Sequence, residues 1–490
     1  MLSSIRLAIK ADEKSYSYGQ LTSSALTISK LFCREDTTTG GETKKYEGFG
    51  SLKGARVGIV AKPSAEFVAG VLGTWFSGGV AVPLALSYPE AELLYVMSNS
   101  DISVLLSTED HSETMKTTAA KSDARFLLIP PVLNSTSETV TNNQFQDDSF
   151  GEDGKLLDDP ALIVYTSGTT GKPKGVVHTH KSINSQVRML TEAWEYTSAD
   201  HFLHCLPLHH VHGLFNALFA PLYARSSVEF LPKFSVSGIW RRWRESYPVN
   251  DDKTDNPITV FTGFVMAISN PLRGARKAGT VGEPLPGVEA KIVQDVNDAD
   301  GVGEICVKSP SLFKEYWNLP EVTKESFTED GYFKTGDAGR VDEDGYYVIL
   351  GRTSADIMKV GGYKLSALEI ESTLLEHPTV AECCVLGLPD KDYGEAVTAI
   401  IVAEAGAKRK RDDESKPVMT LEELCGWAKD KLAPYKVILT RRNTNIVCEI
   451  IHHHADNILC LFSAANTFAN MGELTPQRHG KGNKRGFLLK

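Results

Sequence analysis

No two of the eight cysteines stand as a CxxC pair, and only Cys383 and Cys384 are adjacent. That scatter predicts free thiols in a reducing compartment and speaks against a disulfide framework. No long apolar run survives uninterrupted either. The longest, from Phe67 to Leu84, is broken by glycines, Ser77 and Pro83, which excludes a membrane span there. An excess of positive charge is also missing. With 52 Lys and Arg against 62 Asp and Glu the net charge is −10, which excludes a general nucleic-acid binder. Anionic ligands must then be held by local clusters of donors. What the chain does have is length and an ordinary balance. Its 490 residues, 42% hydrophobic and 23% charged, predict a globular protein of more than one domain.

At the N-terminus, Arg6 and Lys10 precede the first acid, Asp12, as in an organellar presequence. The same residues fit a β-hairpin, with Ile5 to Ile9, a polar turn over Lys10 to Lys14, then Tyr16 and Tyr18. The hairpin places the chain in the cytoplasm, with the mitochondrion as the alternative. Three polar stretches predict surface loops: Asp36 to Gly50, Asn134 to Asp159 and Ala405 to Pro417. The last holds Lys408-Arg409-Lys410-Arg411, followed at once by Asp412, Asp413 and Glu414, as in a solvated loop. Between the loops, strand-like Arg56 to Val60 and Gly79 to Pro83 flank the helical spacing of Ser64 to Ser77. This alternation predicts an α/β fold with mainly parallel sheets covered by helices. From Gly301 to Leu350 short strands with glycine turns take over. After Arg352 a smaller α+β unit is expected, with a helix over Ser366 to Leu375 and a strand over Ala381 to Leu386.

One loop dominates the chemistry. Tyr165 to Gly175 reads YTSGTTGKPKG, with the hydroxyls of Thr166, Ser167, Thr169 and Thr170, the glycines Gly168 and Gly171, and the ammonium groups of Lys172 and Lys174. Glycines let backbone N–H groups turn toward an anion, and hydroxyls and lysines complete a phosphate cradle. Apolar Ala161 to Val164 before it reads as a buried strand. His180 to Trp194 after it has helical spacing, so strand, loop and helix are expected in succession. It is not a P-loop of the Walker type, because Pro173 follows Lys172 where a magnesium-holding Ser or Thr would stand.

This string resembles the AMP-binding motif of the adenylate-forming superfamily: acyl-CoA synthetases, luciferases and peptide-synthetase adenylation domains. The resemblance implies a large domain over residues 1–351, a smaller C-terminal domain over 352–490, and ATP, CoA and Mg2+ as the groups bound. It puts Thr169 toward the magnesium ion. In GYFKTGD, Asp337 would hold the ribose hydroxyls, a task suited to a carboxylate that accepts both hydrogens. Arg352 would contact ribose and phosphate and open a hinge running to Asp356. Gly361 and Gly362 would line the pantetheine tunnel, where backbone must approach a thin substrate closely. PLHHVHGL, from Pro207, resembles the border of the carboxylate pocket and gives His210 an acyl-pocket role, with His212 beside it. Three histidines there invite zinc, but they crowd one short segment, and the acyl-pocket role is preferred. His452 to His454 reads as incidental. Lys481 matches the C-terminal lysine that contacts the reacting carboxylate and α-phosphate, although Gly482 follows where an aliphatic residue is expected.

Longer strings, from Ala61, Leu208 and Gly351, look like the plant malonyl-CoA synthetases. They imply malonate as the carboxylate, activated through an acyl-adenylate and passed to CoA, with no obligate protein partner. A dicarboxylate needs a cation for its distal end, and Arg273 and Arg276 lie where the family places the pocket. Two departures stand out. After Thr262-Gly263 the sequence passes straight to Phe264, so the family's adenine-stacking tyrosine and magnesium-binding glutamate have no counterpart. Arg441 to Gly472 matches no part of the family and is poorly patterned. Two other readings therefore stay open: a catalytically impaired, splice-type nucleotide-binding variant, and a ligase for an aromatic or fatty acid.

Overall fold

The computed structural model of the chain describes residues 5–33, 52–133, 156–166, 172–232, 234–246, 260–261, 267–294, 301–353, 356–360, 363–390, 394–404, 421–429, 431, 449–452 and 458–462. It separates into two units. The first comprises Met1–Ala278, Gly282–Ala290 and Val307–Phe333, and the second Gly279–Val281, Lys291–Cys306 and Lys334–Lys490.

The first unit opens on a hairpin, as expected, but Lys10 and Lys14 belong to its strands and Tyr18 starts the next helix. Leu7–Ala11 pairs antiparallel with Lys14–Ser17. Asp12 and Glu13 turn the corner with φ of 47° and 63°, the left-handed pair that a tight hairpin uses. Ser17 then caps the helix Tyr18–Phe32: its side chain accepts from the Gln20 N–H, and Gln20 reaches back to the Ser17 N–H. The hairpin edges a five-stranded sheet ordered Val260–Phe261, His201–His204, Ser227–Phe230, Leu7–Ala11, Lys14–Ser17, parallel except at its last pair.

A seven-stranded sheet follows the order Glu315–Tyr316, Gly175–Thr179, Pro160–Tyr165, Val80–Pro83, Arg56–Val60, Ile102–Ser107, Arg125–Leu128. Its last five strands are parallel, and near-continuous apolar sequence such as Val57, Ile59, Val80 and Val82 suits strands covered on both faces. The helix Ala65–Phe76 follows Arg56–Val60, and Ser64 caps it. Gly73 lets that helix approach Tyr18–Phe32, since a Cβ there would lie 2.9 Å from the Ala25 carbonyl and from Ile28.

The second unit carries most of a four-stranded sheet, Glu289–Val293, Gly303–Lys308, Phe333–Val341 and Tyr347–Arg352. A six-stranded antiparallel sheet is built around Gly394–Ala403, which pairs with Val380–Asp390 along its length. The helix Ala367–Leu375, capped by Ser366, buries Ala367, Ile370 and Leu374 in a core with Val385, Val397 and Ile401. Strands Glu449–His452 and Ile458–Phe462, inside the stretch that matches no family pattern, extend this sheet.

Candidate functional site

The glycine loop joins two antiparallel strands. Pro160–Tyr165 and Gly175–Thr179 run side by side, with Tyr165 opposite Gly175 and Ile163 opposite Val177, and the helix starts only at His180. The expected strand–loop–helix succession is thus a hairpin, and the second strand intervenes because Val176 and Val177 complete the sheet face. The loop therefore does not sit at a helix N-terminus. Its neck is closed by Thr166, whose N–H donates to the Lys174 carbonyl at 2.9 Å while its hydroxyl accepts from the Lys174 N–H at 3.1 Å. Gly175 is closely packed: a Cβ would meet Ile163, Tyr165 and Trp317 at 3.0–3.2 Å, so these side chains would have to shift. Among the described residues neither Lys172 nor Lys174 has a carboxylate partner, and both ammonium groups lie over aromatic rings. Two uncompensated cations at the exit of a hairpin suit a polyphosphate. Ser167, Gly168, Thr169, Thr170 and Gly171 lie outside the described residues, as do Gly361, Gly362 and Lys481.

The histidine segment packs before and within a π-helix, His212–Phe219, a form common at functional sites. The rings of His209 and His210 stand 4.4 Å apart, and Tyr88 meets His209 edge-on at 5.6 Å. His204 Nε2 lies 2.9 Å from the Gly213 carbonyl, and His204 Nδ1 accepts from the Leu206 N–H at 3.3 Å. Nε2 must therefore carry the hydrogen of a neutral ring. Burial pushes the His204 and His209 pKa values down to about 4 and lowers those of His210 and His212. At neutral pH His210 offers hydrogen bonds but no fixed charge for a second carboxylate. Arg273 and Arg276, expected near the pocket, are exposed, and Arg273 pairs with Glu195.

In the second unit, Asp337 and Arg352 face each other across strands Phe333–Val341 and Tyr347–Arg352. Arg352 Nε lies 2.9 Å from Asp337 Oδ1, and its Nη1 donates to the Thr335 carbonyl at 2.6 Å. Burial raises the Asp337 pKa, Arg352 opposes the rise and Glu304 adds to it. The carboxylate keeps acceptor capacity for two hydroxyl hydrogens. Asp356 closes the turn after Arg352, its carboxylate accepting from the Arg352 N–H at 2.9 Å and its own N–H donating to the Arg352 carbonyl at 2.7 Å. Ser354 and Ala355 between them lie outside the described residues.

The groups that support the loop left no local signal in the sequence. Tyr95 meets Pro173 across 78 residues of chain and Asn99 meets Tyr165 across 66, while Trp317 bonds Asn99 across 218. Only a fold can bring such separations together.

The AMP-binding enzyme family matches residues 47–250 and 258–317, and the AMP-binding enzyme C-terminal domain matches 369–441. A malonate–CoA ligase of Arabidopsis thaliana is 78% identical over 497 aligned positions, covering 88% of this chain and 82% of that protein. Since 88% of 490 residues is about 431, some 66 of those positions hold no residue of this chain. A mitochondrial malonate–CoA ligase of Bos taurus is 34% identical over 520 positions, covering 88% of this chain and 84% of that protein. Among solved structures, ATP-bound MatB from Rhodopseudomonas palustris superposes with a TM-score of 0.68 at 27% identity, covering 89% of this chain and 91% of that one. Family matches over more than half the sequence, on the domain that holds the hairpin and again on the C-terminal unit, lead to one conclusion: this chain belongs to the AMP-binding enzyme family.

Proposed function

We propose that this chain is an ATP-dependent acid–thiol ligase that joins malonate to CoA through an acyl-adenylate. The observation that carries the substrate is the 78% identity to a malonate–CoA ligase. In this reading Lys172 and Lys174, with the hydroxyls of Thr166, Ser167, Thr169 and Thr170 and the backbone at Gly168 and Gly171, neutralise the phosphates of ATP. Thr169 would help hold a magnesium ion, which would supply charge neutralisation where the phosphates bind. Asp337 and Arg352 hold the ribose, neutral His210 hydrogen-bonds the acyl group, Gly361 and Gly362 guide the pantetheine, and Lys481 steadies the reacting carboxylate. The large domain spans 1–351 and the small one 352–490, with the hinge at Arg352 to Asp356. No helix among the described residues is long and apolar enough to cross a membrane. We place the chain in the cytoplasm, with the mitochondrion as the alternative; a tagged chain found inside mitochondria would overturn that placement.

A second reading, a nucleotide-binding form with impaired catalysis, is favoured by the aligned positions that have no residue here. Malonate-dependent pyrophosphate release from ATP decides between them, with Lys172→Ala as control. Release that disappears in the variant supports the ligase. ATP binding without release supports the impaired form.

A further inference from the structure

Two aromatic rings take up the lysines at the exit of the phosphate loop. Tyr95, on the helix Glu90–Asn99, lies beneath Lys172, with Nζ 5.3 Å from the ring centroid. Its hydroxyl donates to the Pro173 carbonyl at 3.0 Å, so one residue holds both the lysine and the backbone beside it. Tyr316 lies under the other lysine, with Lys174 Nζ 5.5 Å from its ring centroid. Its strand, Glu315–Tyr316, is hydrogen-bonded to Gly175–Thr179, and the Trp317 N–H donates to the Gly175 carbonyl at 2.8 Å. Asn99 ties the two supports together: its side-chain oxygen accepts from the Tyr165 hydroxyl at 2.7 Å and its carbonyl from Trp317 Nε1 at 2.9 Å.

The choice of ring over carboxylate has a consequence. A free lysine stem samples many rotamers, and fixing it when an anion binds is an entropic cost. A carboxylate would fix the stem but neutralise the charge. A ring face holds the ammonium by its quadrupole and leaves the full positive charge for the incoming anion. We propose that Tyr95 is a positioning residue of the phosphate loop, with Tyr316 as its counterpart, and that the two tyrosines preset Lys172 and Lys174 for the polyphosphate of ATP. The proposal rests on the reading of this loop as the ATP site.

The test is the dissociation constant of Mg–ATP, measured by calorimetry on the full chain and its variants. Tyr95→Phe keeps the ring and loses the hydroxyl, and should weaken binding about five-fold; Tyr95→Leu loses both, about twenty-fold. The ring acts through the lysine, so in a Lys172→Ala background the step from Phe to Leu should vanish. Tyr316→Leu provides an independent arm should Tyr95→Leu fail to fold, and should weaken ATP several-fold. Wild-type affinity in Tyr95→Leu, or an unchanged Phe-to-Leu step without Lys172, would overturn the proposal. Absence of ATP binding by the folded wild-type chain would overturn it together with the functional reading. ATP binding that depends on Tyr95, without malonate-dependent pyrophosphate release, would leave the positioning role standing and remove only the ligase.

Discussion

Glu229→Gln is the most informative perturbation outside the candidate site. Glu229, on the strand Ser227–Phe230, has a side chain only 7% exposed yet meets three basic groups. Lys10 Nζ lies 3.2 Å and His201 Nε2 2.9 Å from its Oε2, and Arg242 Nη2 donates to that oxygen at 2.8 Å while Arg242 Nε pairs with Oε1. These contacts tie three strands of the five-stranded sheet to the helix Val236–Ser246. Breaking a buried ion pair typically costs about 3–5 kcal/mol, because the partner charge is left unmatched. Arg242 and Lys10 keep 18% and 34% of their side chains exposed, so the low end applies. About 3 kcal/mol should lower the melting temperature of a unit of this size by roughly 4–5 °C at pH 7. Burial alone would raise the Glu229 pKa, but the hydrogen bonds from His201 and Arg242 and the nearby cations win and hold it below the usual carboxylate range. A carboxyl depressed in the folded state stabilises fully above its unfolded pKa, about 4.3, and progressively less as pH falls below it. The gap between wild type and variant, followed by circular dichroism, should therefore be full at pH 7 and shrink below about pH 4.3. A fall of less than about 2 °C at pH 7, or a gap that stays constant down to pH 3, would refute the reasoning.

Two further outcomes follow from buried titratable groups. His178 is buried on Gly175–Thr179 against Phe215 at 5.0 Å, and among the described residues neither ring nitrogen has a hydrogen-bond partner. His178→Leu should match or exceed wild-type stability by up to about 1 kcal/mol in denaturant titrations, because it removes unpaired polar atoms from the core. Burial pushes the His178 pKa down to about 4, so the wild type should lose stability as pH falls from about 6.5 toward 4, a share that the leucine variant lacks. A loss above about 1 kcal/mol at pH 7 would show that the imidazole is satisfied after all. In Arg352→Met, the Asp337 carboxyl loses the cation that opposes its upward shift. The acid limb of ATP affinity should move to higher pH, with about five-fold weaker binding at pH 7; an unmoved acid limb in calorimetry would separate Asp337 from the nucleotide.

Local chemistry was legible in the sequence wherever neighbours in the chain are neighbours in space. The strand-like run at Arg56–Val60 and the helical spacing at Ala65–Phe76 depend on contacts a few residues away, and those elements stand where the pattern puts them. The YTSGTTGKPKG string likewise declared its lysines and glycines, because a phosphate loop is made of consecutive residues. Tertiary structure decided the rest. It turned the expected strand–loop–helix into a hairpin, since Gly175–Thr179 finds ladder partners on both sides, in Pro160–Tyr165 and in Glu315–Tyr316. It set Tyr95 and Tyr316 beside the loop lysines, neutralised the histidines by burying them, and gathered Lys10, His201 and Arg242 around Glu229. Each of these joins residues far apart in the chain, and local periodicity carries no record of such pairs. Sequence fixes which charges and hydroxyls are available; packing decides which of them lose water, and so which are held ready for an anion.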